Sequence, residues 1–128
     1  MSRILVIDDD PGVLRAVYRI LKDHDVMALN DPELALERLV SGEYEFNVVL
    51  CDISLPRLSG LALYEKATAA RPELSSCFVF FTGNGDQAAI AFLGRPDIRV
   101  LHKPFETAEL LETIKTVASL PKEPDATE

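Results

Sequence analysis

No tryptophan occurs in the 128 residues, and cysteine and histidine are present twice each. Cys51 and Cys77 sit at the edges of the apolar runs NVVLC and CFVFF, without a CxxC spacing. That argues against a disulfide framework, a redox pair or a zinc centre and for two small buried thiols. His24 and His102 stand alone in the chain, which removes the remaining support for zinc. Positive charge is also scarce: 13 Lys and Arg against 21 Asp and Glu leave a formal net charge of -8. A chain this acidic repels polyphosphate backbones and anionic lipid, so neither nucleic acid nor membrane is an expected direct partner. No apolar run approaches the about eighteen residues of a membrane span. The start, Met1 to Ile7, is too short and too quickly acidic for a secretory signal. A cytoplasmic protein is expected.

What is present is an ordinary globular composition, 48% hydrophobic and 27% charged with six Gly and eight Pro. The length suits one domain, burying roughly two thirds of its unfolded surface. No internal repeat stands out. Short apolar runs alternate with stretches of helical spacing, the signature of parallel βα units. Residues 3–7, 25–29, 47–51, 77–81 and 98–101 read as strands. Helices are expected from Pro11 to about Leu21, from Pro32 to Gly42, over 61–70, briefly over 87–93, and over 107–119. Asp10 before Pro11 and Asp31 before Pro32 have the form of N-caps, and Gly42 that of a C-terminal stop. Five such units, with central strands apolar on both faces, predict a doubly wound α/β sheet. The domain is placed at 1–120, and PKEPDATE (121–128) reads as a disordered tail or the start of a linker.

Ligands of open parallel sheets bind beyond the carboxyl ends of the strands. There this chain carries Asp8, Asp9 and Asp10 after the first strand, Asp52 after the third, Thr82 after the fourth and Lys103 after the fifth. Clustered carboxylates repel unless a proton or cation intervenes, and hard oxygen donors of this kind suit magnesium shared with a phosphate. Asp10 is explained by capping alone, whereas Asp8 and Asp9 arrive opposite Asp52.

In these motifs the chain resembles the receiver domains of bacterial two-component response regulators, over residues 3–119. The acidic pair lies in VIDDDP, the phosphoacceptor in LCDISLPRLSG, the hydroxyl in FFTG, and the lysine with its following proline in LHKPF. The resemblance implies a flavodoxin-like (βα)5 fold with strand order 2-1-3-4-5. It implies that Asp52 takes a phosphoryl group from the phosphohistidine of a histidine kinase or histidine phosphotransfer protein. Mg2+ would be held by Asp9, Asp52 and the Ser54 backbone carbonyl, with Asp8 acting through water. Lys103 and Thr82 would each meet a phosphoryl oxygen, and Gly83 would leave them room. The Lys103–Pro104 bond is expected to be cis. The implied role is signalling, with self-phosphorylation and self-dephosphorylation the only chemistry, in a monomer that acts on a downstream protein or an attached kinase or output domain.

Three residues before the lysine the family commonly carries Tyr or Phe, and here stands Val100. The aromatic half of the usual switch is thus absent, and a muted rearrangement of the fourth helix and fifth strand is expected. Ser54 and Asn84 occupy positions where the family varies its dephosphorylation rate. The stretch AIAFLGRPDIRVLHKPF is closer to receivers of hybrid sensor kinases than to those of transcription factors. Three other readings compete with this one. A haloacid dehalogenase-type phosphatase needs an aspartate where Ser54 stands, and a flavodoxin-like cofactor binder needs a Ser/Thr/Gly-rich loop where the acids stand. A phosphate-independent docking module is the alternative that Val100 leaves open.

Overall fold

Each strand of this chain alternates two sets of apolar side chains, and the structure uses both. The computed structural model describes residues 2–83 and 98–120. Five strands, β1 (Arg3–Ile7), β2 (Asp25–Leu29), β3 (Val48–Asp52), β4 (Phe78–Thr82) and β5 (Arg99–His102), form one sheet in the order β2-β1-β3-β4-β5. All four pairings are parallel. The doubly wound expectation and the 2-1-3-4-5 order therefore hold. On one face Leu5, Ile7, Val49, Cys51, Phe78 and Phe80 meet helices α2 (Pro32–Ser41) and α3 (Gly60–Ala70) through Leu39, Leu63 and Ala67. On the other, Ile4, Val6, Val48, Leu50, Val79 and Phe81 meet α1 (Pro11–Ile20) and α4 (Thr107–Ser119) through Val17, Leu21, Leu110 and Ile114. Period two in the strands splits the core into these two layers.

The helix starts follow from local chemistry. The Asp10 carboxylate accepts the Gly12 amide at 2.8 Å and the Asp31 carboxylate the Glu33 amide at 3.0 Å, each with proline at the first helical position. Satisfying one orphan amide in this way contributes about 1 kcal/mol. Gly42 ends α2 at φ 80°, in the left-handed region that glycine enters without a Cβ penalty.

Three strands sit one residue later than expected. Asn47 precedes β3, where its side chain accepts the Arg3 amide at 2.8 Å. Cys77 closes a short 3-10 turn, Pro72–Ser76, that apolar periodicity did not reveal. β5 runs on through His102 because β4 offers pairing as far as Thr82. Helix α3 begins at Gly60 rather than Leu61. The helix expected over 87–93, Asn84, and the tail 121–128 lie outside the described residues. Both cysteines are buried thiols outside any disulfide. Among the described residues, no helix is long and apolar enough to cross a membrane.

Candidate functional site

β1 delivers Asp8 to the carboxyl edge of the sheet with its side chain at 0% exposure. Such a carboxylate must be hydrogen-bonded to be tolerated. Its Oδ1 accepts the Asp10 amide at 2.9 Å and its Oδ2 accepts from Lys103 Nζ at 2.9 Å. Asp52, the last residue of β3, is buried two strand positions after Leu50. Its Oδ1 accepts the Ser54 amide at 3.1 Å, and its Oδ2 lies 3.5 Å from Lys103 Nζ. Asp9 is exposed, yet one oxygen from each of Asp8, Asp9 and Asp52 lies within 4.8 Å of the others.

Among the described residues the charges do not balance: three carboxylates face one ammonium. Burial raises the Asp8 carboxyl above its ordinary value. The Asp10 amide and Lys103 oppose that rise and the Asp52 charge adds to it. Burial by itself would lower Lys103, but its hydrogen bond to Asp8 and the charges of Asp8 and Asp52 outweigh burial and raise it. Burial, with the same two carboxylates, also pushes the Cys51 thiol well up. In all three the charge of a neighbouring carboxylate adds to the rise. Hard oxygen donors in that state fit a magnesium ion, which retains waters and takes one or two carboxylates from the protein.

The backbone around Asp52 is held from two sides. The Ile53 amide donates to the Phe81 carbonyl at 3.0 Å and the Gly60 amide to the Ile53 carbonyl at 3.0 Å. A Cβ on Gly60 would run into the Asp52 carbonyl oxygen and stand 2.8 Å from Ile53 Cα. Between them the Leu58 amide donates to the Pro56 carbonyl at 2.6 Å, across Arg57 at φ 66°. This three-residue turn is of the rare, strained kind. The Arg57 guanidinium donates at 2.9 Å to Asp31, the cap of α2.

Lys103 is carried by the stretch after β5. The Lys103–Pro104 bond is cis, as expected. The Lys103 ammonium stands 5.9 Å from the centroid of Phe81, whose ring stacks on Phe105 at 4.9 Å. Among the described residues, a Cβ on Gly83 would meet nothing within 4 Å.

Asp8, Asp52 and Lys103 are thus brought together, with Asp9 at their rim. Thr82 is buried at the end of β4, but its hydroxyl lies 3.1 Å from His102 Nδ1. Strand alternation accounts for this contact. Asp52 falls on the Leu50 and Val48 side of the sheet, whereas Thr82 falls on the Phe80 side and pairs in register with His102. Val100 is on the same face, opposite Phe80. Sequence reasoning passed over His102 as an isolated histidine. Its position opposite Thr82, one residue before Lys103, was the signal available.

Residues 4–115 match the model of the response regulator receiver domain family. The response regulator receiver protein CpdR of Brucella abortus is 32% identical over 118 residues, an alignment covering 90% of this chain and 95% of that protein. Among solved structures, a response regulator receiver protein from Sinorhizobium medicae superposes with a TM-score of 0.77 at 27% identity, covering 91% of this chain and 94% of its own. The receiver domain of a Pseudomonas aeruginosa sensor histidine kinase, solved with magnesium coordinated in its active-site cleft, has a TM-score of 0.80 at 20% identity. That alignment covers 93% of this chain and 98% of the other.

Proposed function

The chain belongs to the response regulator receiver domains, and on that premise we propose that it accepts a phosphoryl group on Asp52 from a phosphohistidine of a histidine kinase or phosphotransfer protein. One carboxylate oxygen of Asp52 bonds to phosphorus as the P–N bond to the donor imidazole breaks. The imidazole nitrogen leaves with the electron pair and is protonated. The observation that carries this reading is a buried Asp52 within reach of one lysine and two further aspartates, in a pocket with more negative than positive charge.

Asp9, Asp52 and the Ser54 carbonyl, with Asp8 behind them, would hold Mg2+, as the magnesium in the Pseudomonas receiver supports. When bound, the ion supplies the positive charge that the transferring phosphoryl oxygens require. Lys103 neutralises a further oxygen as a point charge on a flexible stem, already placed between Asp8 and Asp52. The Thr82 hydroxyl donates to another, and Gly83, having no side chain, leaves room for the donor. The protein orients and neutralises, while the phosphohistidine supplies the reactive bond.

The adduct carries about 1.5 to 2 negative charges where the Asp52 carboxylate carried one, at the end of β3 beside β4. It thereby changes affinity for a downstream protein or an attached domain. Val100, half-buried where the family commonly has an aromatic ring, favours a second reading, docking without phosphorylation.

Intact mass after incubation with magnesium and acetyl phosphate separates the two. A single phosphoryl adduct on the wild type is expected, absent with EDTA and absent in Asp52→Asn. No adduct on the wild type, together with failure to form a beryllium fluoride complex, would overturn the phosphoacceptor reading in favour of docking.

A further inference from the structure

A hydroxyl has one proton to give. Thr82 is 2% exposed, its hydroxyl lies 3.1 Å from His102 Nδ1, and it faces the Phe80 side of the sheet. The Asp52 carboxylate lies on the opposite side, with Lys103 reaching it across Phe81. To donate to a phosphoryl oxygen on Asp52, the Thr82 side chain must turn over the end of β4 and give up the histidine.

We propose that His102 is a further positioning residue of this site: with its ring proton on Nε2, its Nδ1 accepts the Thr82 hydroxyl. Nδ1 and a phosphoryl oxygen then compete for the single Thr82 hydroxyl proton, so the imidazole loses that hydrogen bond when Asp52 is phosphorylated. The proposal rests on the phosphoacceptor reading above. It goes beyond that reading by naming the group that holds Thr82 at rest. His102 is exposed at the end of β5, on the face it shares with Val100. Release of its ring therefore changes a surface that a partner can touch, where the residue at 100 has no ring to move. The coupling in this chain passes directly across one cross-strand pair, Thr82 to His102, instead of through the position of Val100.

The chain has two histidines, and the second is an internal reference: His24 Nδ1 accepts the Ser2 amide at 3.1 Å, far from Asp52 along the chain. In protein labelled with ring-15N histidine, Thr82→Val is expected to shift the His102 Nδ1 resonance and leave His24 in place. Beryllium fluoride with magnesium should shift the same His102 resonance in the wild type.

Kinetics give the second readout. His102→Phe keeps a ring but removes the acceptor, and should speed adduct formation from acetyl phosphate about two- to tenfold, the equilibrium weight of one neutral hydrogen bond. His102→Asn, whose Oδ1 can accept the hydroxyl in place of Nδ1, should return the rate to about that of the wild type. In a Thr82→Val background, His102→Phe should have no effect. A wild type that takes the adduct while its His102 resonance stays unmoved, or while His102→Phe leaves the rate unchanged, overturns this inference alone. A wild type that takes neither adduct nor beryllium fluoride overturns the phosphoacceptor reading and this inference with it.

Discussion

Asp8 is a fully buried carboxylate with one lysine and one amide for company. Because its folded value stands above the ordinary 3.8, its ionised form costs the fold stability, and the sign follows from linkage. Below about pH 3.8 the group is neutral in both the folded and unfolded chain and contributes nothing. As pH rises from there towards the folded value the penalty grows, and above the folded value it is complete. Asp8→Asn keeps an oxygen for the Asp10 amide and removes the charge. In metal-free protein at pH 7 it should raise Tm by about 2 to 4 °C, and the gap to wild type should close as pH falls towards 3.8. Thermal melts in EDTA across that range check it, and a lower Tm for Asp8→Asn at pH 7 would contradict it. The acids, the hydroxyl and the lysine were legible in the sequence because each follows a recognisable apolar run. His102 was not, because its meaning lies in a register partner twenty residues earlier and a lone histidine carries no pattern of its own.

At the scale of elements, the helix boundaries could be read because they are local events. Asp10–Pro11, Asp31–Pro32 and Gly42 each act within one turn. Strand boundaries slipped by one residue, since a strand ends where its neighbour stops offering partners, and the neighbours of β3, β4 and β5 are distant in sequence. The 3-10 turn at Pro72–Ser76 has too few residues to show a period. The close approach of α3 to β3 was equally hidden, because a glycine before a helix reads as a loop residue. Gly60→Ala should push the Asp52 carbonyl or the first turn of α3 aside, costing about 1 to 3 kcal/mol and lowering Tm on the order of 4 to 10 °C. Because the displaced backbone is that of Asp52 itself, adduct formation should slow even at temperatures where the variant is fully folded. Urea denaturation and the acetyl phosphate rate measure the two effects separately.

For the molecule as a whole, the doubly wound sheet followed from the alternation of strand and helix patterns, its strand order from the resemblance to receiver domains, and the site from the rule that such sheets bind ligands at their carboxyl edge. The charge imbalance there links ligand to fold. Magnesium at ten times its Kd should stabilise the wild type by about 1.4 kcal/mol, or about 5 °C in Tm, an effect that Asp9→Asn should reduce and Asp52→Asn should largely abolish. Equal magnesium shifts in all three proteins would place the ion elsewhere.

The sheet also divides the labour of the site. The carboxylates and the lysine belong to the α1 and α4 side, while Thr82 and His102 belong to the α2 and α3 side. If Asp52 accepts phosphate as proposed, only the thickness of one β-strand, β4, would separate the side where a phosphoryl signal is written from the side where it is read. Because side chains alternate with a period of two, a one-residue slip of β4 would carry Thr82 across that boundary. On that reading, sequence change on the second side would retarget the message while the writing chemistry, one strand-thickness away, stayed as it is.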